Sequence, residues 1–458
     1  MAIKEDLVKA GADKLADLLI SLYESEKALK KRLTIMFAGL EDDPKKLISA
    51  IKKEIAAIGK AKRYIDYDEI DDFAQMLDQL RQRIAIDLFA KSADSARELM
   101  ESFLDLNEGV FRRIDWGRGG VGDVFREACS DLGKVYGNLK APIESLVAFV
   151  FEKFTTDENY VYRDIISNFK DSLGKKGLTI LQEKFEKSLN NETAYEVSNG
   201  LKEVADCLKD VDAYIKACSI RGTASVLEKL AISRRLLDHW REKEALEWLE
   251  TTKDLQDFET KHYDRAIRAL KIQAFDALHD YKNAQRERIE WFDETLDPVI
   301  YGEIVKHSKP EVVEDFKKKA IEKAFSSDDC YYALYFLMSI QEFDECSRIV
   351  RAKIKQYDGR EHQLLRKAAE SLQNTDPFAS TLLYRKLIDT VLSNAISKHY
   401  AHAAKDLVQC AELSKQIDNW EKLEPHEDYF KSIQEQHRSK RSFWPEYNAL
   451  SAKSKKND

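Results

Sequence analysis

Residues that interrupt helices are scarce in this chain: 7 prolines and 16 glycines stand among 458 residues. Six of the prolines (Pro44, Pro142, Pro298, Pro310, Pro377 and Pro425) precede long runs of helix formers. Proline suits a helix's first turn, where its missing N–H costs nothing and its fixed φ is already helical. Asp43, Asp297 and Asp376 each stand directly before a proline, the order of an N-cap followed by the first helical residue. Also missing is any apolar run near the 18 residues that a membrane-spanning helix needs. No convincing alternation of period two marks a strand. None of the six cysteines (Cys129, Cys207, Cys218, Cys330, Cys346, Cys410) forms a CxxC pair. They sit on apolar faces of helical segments, as free thiols in a reducing compartment would. The opening MAIKEDLVKAGADKLADLL lacks the unbroken apolar core of a signal peptide, so a cytoplasmic protein is expected.

What is present is charge and helical periodicity. Charged residues make up 34% of the chain, and its 74 basic and 82 acidic residues leave a net charge of −8. That acidic balance argues against nucleic acid as the principal partner. Leu47, Ile51, Ile55 and Ile58 step by three and four, as do Ile70, Phe73, Leu77, Leu80, Ile84 and Leu88. Further helices are expected over Ser92–Leu106, Val121–Tyr136, Pro142–Phe154, Tyr160–Phe169, Gly177–Leu189 and Thr193–Leu208.

The second half repeats a short pattern at helix starts, an aromatic residue followed three places on by a small one. Tyr281/Ala284, Phe343/Cys346 and Tyr400/Ala403 are the three cases, 62 and 57 residues apart. A small residue lets two helices approach closely, and the aromatic fills the space beside it. The run from Tyr281 to Pro298 is similar to the second helix of a tetratricopeptide repeat, although the full 34-residue period is absent. The expected fold is therefore all-α: helical hairpins stacked as an α-solenoid-like array, tetratricopeptide-like in the second half. A change of style near Asp210–Thr223 divides a helical region 1–222 from a repeat region 223–444, with 445–458 a disordered polar tail.

Three constellations carry chemistry. Gly117-Arg-Gly-Gly-Val-Gly122 satisfies GxGxxG and leads into a helix, with Arg112, Arg113 and Arg126 nearby. No strand precedes it, which removes the dinucleotide reading. Arg113, Gly117, Arg118, Gly119 and Gly122 remain as an anion or partner contact, against a plain interhelix connector. His437, Arg438, Lys440, Phe443 and Trp444 mix charge with aromatic rings, and from His437 onward six Lys/Arg face two Asp/Glu. That segment could meet RNA by stacking and phosphate contact, but docking of Phe443 and Trp444 onto the last helices is favoured. His399, His402, Asp406 and Cys410 share one face of a helix and could ligate a metal, but packing explains them better, and no metal is assigned.

No nucleophile elbow, HExxH or Walker loop occurs, so no residue receives a catalytic role and no cofactor is implied. The stretches GADKLADLLISL, ALKKRL, AKRYIDY, GGVGDVFREACSDLG, HYAHAAKDLVQCAELSKQIDNW and PHEDYFKSIQEQHRSKRSFW resemble a family of uncharacterised bacterial proteins known only as a domain of unknown function. The resemblance runs from the first helix to Trp444. It implies a bacterial, all-helical protein with a tetratricopeptide-like second half, and carries no activity. It also draws attention to the Gly117–Gly122 loop and to the ending His437, Arg438, Lys440, Phe443, Trp444. The expected function is non-enzymatic binding of a protein or peptide in the bacterial cytoplasm. The alternative is an enzyme or nucleic-acid-associated factor that uses loop 117–122 or the basic C-terminal segment.

Overall fold

A computed structural model describes residues 9, 11–25, 27–114, 120–254, 257–421 and 423–454. Of these residues 78% are helical, and none is in a strand. The prolines do what their positions imply. Pro298, Pro310 and Pro377 occupy the first turns of Pro298–Lys306, Pro310–Ser326 and Pro377–Ser393. Pro44, Pro142 and Pro425 stand immediately ahead of Lys45–Lys60, Ile143–Thr155 and His426–Gln436. The Asp297 and Asp376 carboxylates accept from the backbone N–H of Val299 (2.8 Å) and Ala379 (3.0 Å). Asp43 does the same for Lys45 at 3.0 Å.

The chain forms two compact units, Met1–His239 and Trp240–Asp458. The boundary lies later than the expected 222. Gly222 instead sits in the turn between Val211–Ser219 and Val226–Asp238, two helices of the first unit that pack on each other.

Within each unit, successive helices pack as neighbouring pairs, the expected all-α stack of helical hairpins. The first unit's core joins Leu47, Ile51, Leu77, Ile84, Phe103 and Phe125 to Phe169, Leu181 and Phe185. Helix Ala194–Leu208 crosses Lys170–Ser188 at Gly200, where an added Cβ would collide with the Phe185 ring. The segment Tyr160–Phe169, expected to be helical throughout, is helical only over Ile165–Asn168. The Asp157 carboxylate takes the N–H groups of Val161 (3.0 Å) and Tyr162 (2.7 Å), a local turn that competes with the helix ladder.

The second unit packs Phe292, Phe336, Leu365, Leu383, Ile388, Leu407 and Phe443 into its own core. Ala284, Cys346 and Ala403 are all fully buried, as the close-approach reading of these small residues requires. Residues 445–454, expected to be a disordered tail, belong to the helix Phe443–Ser454. It is held by buried Phe443, whose ring meets Tyr400 at 5.9 Å, and by Tyr447, 5.3 Å from Phe430.

One turn recurs. Lys209, His279, Gln341 and Ala395 are left-handed, with φ of 57°, 57°, 61° and 52°. In each case the next residue's N–H reaches the carbonyl five places back: Asp210 to Ala205 (2.9 Å), Asp280 to Phe275 (2.8 Å), Glu342 to Leu337 (3.0 Å) and Ile396 to Val391 (3.0 Å). This is a Schellman closure of the preceding helix. Asp210 and Asp280 then cap the following helix through Ala213 N–H and Asn283 N–H, so one residue ends a helix and starts the next.

Candidate functional site

A concavity lined by two arginines and three histidines lies in the second unit, where the loop 357–361, the helix His362–Leu372, the helix Pro377–Ser393 and the start of Tyr400–Ser414 meet. Its volume is about 430 Å³.

The loop is fixed from beneath. Tyr357 is buried and donates its hydroxyl to the Cys330 carbonyl at 3.1 Å. The Tyr331 hydroxyl donates to the Asp358 carboxylate and accepts from the Asp358 N–H, both at 2.8 Å. The Thr390 hydroxyl donates to the Asp358 carbonyl. Gly359, buried at φ +73°, then turns the chain tightly over the Pro377–Ser393 helix. Arg360 emerges beyond it, its Nε 2.8 Å from Asp358, and its carbonyl lies 3.2 Å from His362 Nδ1. Asp358 is held below the usual carboxylate range, chiefly because it accepts the Arg360 backbone N–H.

The opposite wall follows the Ala395 turn. His399 closes a single 3₁₀ turn, and His402 is three residues on. The rings of His362 and His399 lie 5.7 Å apart, those of His399 and His402 6.1 Å. Desolvation, and after it the charges of Lys398, His362, His402 and Arg366, pushes the His399 imidazole below its ordinary value. Leu387, Val391 and Ile396 provide an apolar floor. No carboxylate lines the pocket, in a chain whose net charge is −8.

Two of the residues singled out as weak metal ligands, His399 and His402, therefore do share a site, with His362. Asp406 does not join them. It is buried, and its oxygens take Arg366 Nη2 at 2.6 Å and Nε at 3.3 Å. Burial pushes its carboxyl up, against the pull of Arg366. Cys410 is fully buried, and burial pushes its thiol up as well. Among the described residues no group of His, Cys, Asp and Glu is arranged to hold a metal.

Gly117, Arg118 and Gly119 lie outside the described residues. Arg113 is half-buried and turned inward. Its Nε donates to the Gly109 carbonyl (3.1 Å), its Nη2 to the Ile58 carbonyl (3.3 Å), and its guanidinium lies 6.0 Å from the Phe73 ring centre. Gly122 is in the first turn of Val121–Gly137, beside Arg126, which pairs with Asp123. At the C-terminal segment, Phe443 is fully buried and Trp444 Nε1 donates to the His437 carbonyl at 3.0 Å. Arg438 is exposed and Lys440 partly so. The Phe443 ring is thus packed inward, while Trp444 is half-buried with edge-on contacts to Phe430 and Tyr447.

Arg360, His362, Arg366 and Thr390 were not singled out from the sequence. His362 and Arg366 are one helical turn apart and share a face, a visible signal. What the sequence does not carry is that this face looks toward His399 and His402.

The sequence model of a family of unknown function, DUF6880, matches residues 3–197 and 189–446. The chain belongs to that family. No curated protein matches the chain significantly. Among solved structures, a circular tandem repeat protein with novel repeat topology and enhanced subunit contact surfaces is similar at 13% identity. The match covers 94% of this chain and 99% of that one, with a TM-score of 0.16. No helix of the described residues is long and apolar enough to cross a membrane.

Proposed function

We propose that this DUF6880 protein is a non-enzymatic, helical-repeat binding protein, and that its second unit takes an acidic group of a protein or peptide partner. The observation that carries this reading is the pocket bounded by Arg360, His362, Arg366, His399 and His402 and by no carboxylate. Guanidinium groups and imidazole N–H donors converging on a concave surface attract and orient anions, and the apolar floor accommodates the carbon skeleton beside them. Catalysis finds less support here. The one hydroxyl among these groups, on Thr390, is spent on the Asp358 carbonyl, no thiol lines the pocket, and the neighbouring carboxylates of Asp358 and Asp406 are paired with Arg360 and Arg366. Six free thiols, five of them buried, fit the cytoplasmic setting expected from the sequence.

The test is capture of partners from the native host, identified by mass spectrometry, with the wild type and with Arg360→Glu/His402→Glu. Both side chains are exposed, so the variant is expected to keep its fold. A partner recovered by the wild type and lost by the variant supports the reading. Partners recovered equally by both proteins overturn it.

A further inference from the structure

Resting on that reading, we infer that the anion taken by the His362–His399–His402 pocket is a phosphate monoester. A carboxylate spreads one charge over two oxygens, and one edge of one guanidinium satisfies it. This pocket offers far more than that. Arg366 spends Nε and Nη2 on Asp406, which leaves its Nη1 for the pocket it lines. Arg360 spends Nε on Asp358, and its side chain is 83% exposed at the rim. Three imidazoles line the same pocket at ring separations of 5.7 and 6.1 Å. The helix His362–Leu372 also begins here without a side-chain cap, its first N–H alone being spent on the Arg360 carbonyl. A group with three terminal oxygens and close to two negative charges matches this number and spread of donors.

The surrounding charges couple binding to protons. Asp358 and Arg360 come from the loop, Arg366 with its partner Asp406 from two helices, and Lys398 and His402 flank His399. The Pro377–Ser393 helix contributes only the neutral Leu387, Thr390 and Val391 to the lining. In the free protein desolvation, and after it this positive surround, holds the His399 proton off. An entering dianion reverses the balance, so binding takes up protons near neutral pH and weakens as pH rises from about 6.5 to 8.

Titration calorimetry on the full chain tests this with phenyl phosphate, N-acetyl-phosphoserine amide and N-acetylglutamate amide. Both phosphate monoesters are expected to bind at least about tenfold more tightly than the glutamate compound. Comparison of two buffers of different ionisation enthalpy at pH 7 is expected to show proton uptake. Arg360→Ala/His402→Gln, with unchanged circular dichroism, is expected to lose about tenfold in affinity. Tighter binding of the phosphoserine compound than of phenyl phosphate assigns the group to a partner's side chain. Equal binding assigns it to a small phosphorylated molecule. Both outcomes support the inference. Equal affinity for the glutamate compound overturns it and leaves the acidic-partner reading intact. So does absence of saturable phosphate binding while partner capture still depends on Arg360 and His402. Phosphate binding that is unchanged in the double variant also overturns it, since the group is then bound elsewhere.

Discussion

A Cβ on Gly359 would lie 2.5 Å from the Thr390 hydroxyl oxygen and 2.7 Å from the Lys386 carbonyl. That contact sets the height of the 357–361 loop above the Pro377–Ser393 helix, and with it the positions of Arg360 and His362. Gly359→Ala meets two penalties, the steric one and the strain of a left-handed backbone at φ +73°. The variant is expected to lose about 2–3 kcal/mol in denaturant unfolding. Its phosphate affinity should fall as well, because the loop must lift. An unchanged midpoint would show that the helix yields easily and that the glycine sets nothing.

Ala403 has no exposed surface in the helix Tyr400–Ser414, which packs against both Pro377–Ser393 and Phe443–Ser454. Ala403→Leu adds volume that the crossing has no room for, at a cost of about 1–3 kcal/mol. The same change at exposed Ala401 is the control and is expected to be nearly silent. If both variants unfold at the wild-type midpoint, the crossing is looser than the buried small residue implies.

Much of the fold was legible because its signals are local. Proline at N1, aspartate at the N-cap, apolar steps of three and four and small residues at crossings each act within a turn or two of their own position. Ala284, Cys346, Ala403 and the Asp376–Pro377 start were readable for that reason. The recurring Schellman turn was not, because glycine, its usual marker, is absent. Lys209, His279, Gln341 and Ala395 take the left-handed position instead. The pocket was half legible. His399 and His402 drew notice as helix neighbours. His362 stands 37 residues before His399, and only the fold of the intervening Pro377–Ser393 helix brings their rings together.

The turn makes its own test. Gln341 holds φ +61° between Cys330–Ser339 and Phe343–Lys353, where a side chain costs about 1 kcal/mol or more relative to glycine. Glycine also gains chain entropy in the unfolded state, which offsets part of that relief. Gln341→Gly is therefore expected to stabilise by up to about 1 kcal/mol, and Gln341→Val to destabilise by a similar amount, since β-branching suits this backbone least. Chemical denaturation of the two variants against wild type decides it. A less stable glycine variant would mean that the Gln341 side chain contributes contacts of its own.

Glu203 gives the first unit a pH dependence of defined sign. Its carboxyl is largely buried in the Ala194–Leu208 helix, and its Oε2 has no hydrogen-bond partner among the described atoms. Burial first, then the charges of Asp164 and Asp206, pushes its pKa up to about 8 from an ordinary 4.5. Between those values the folded state holds a proton that the unfolded state has released, so stability falls as pH rises through this window. The contribution is complete below pH 4.5 and gone above pH 8. His426, in the second unit, acts in the opposite sense and over a different range. Burial, then the Arg385 charge, lowers it to about 4 from 6.5, so its effect is stability gained as pH rises from about 4 to 6.5. The interval from pH 6.5 to 8 therefore isolates Glu203 from His426. Across it, wild type is expected to lose on the order of 2 kcal/mol from this carboxyl. Glu203→Gln, which keeps the shape and cannot ionise, should be nearly flat over the same interval. Unfolding midpoints at pH 6.5, 7.2 and 8 for the two proteins measure the difference. Parallel slopes would mean that Glu203 is ionised in the folded protein at neutral pH, with its charge reaching solvent or a cation.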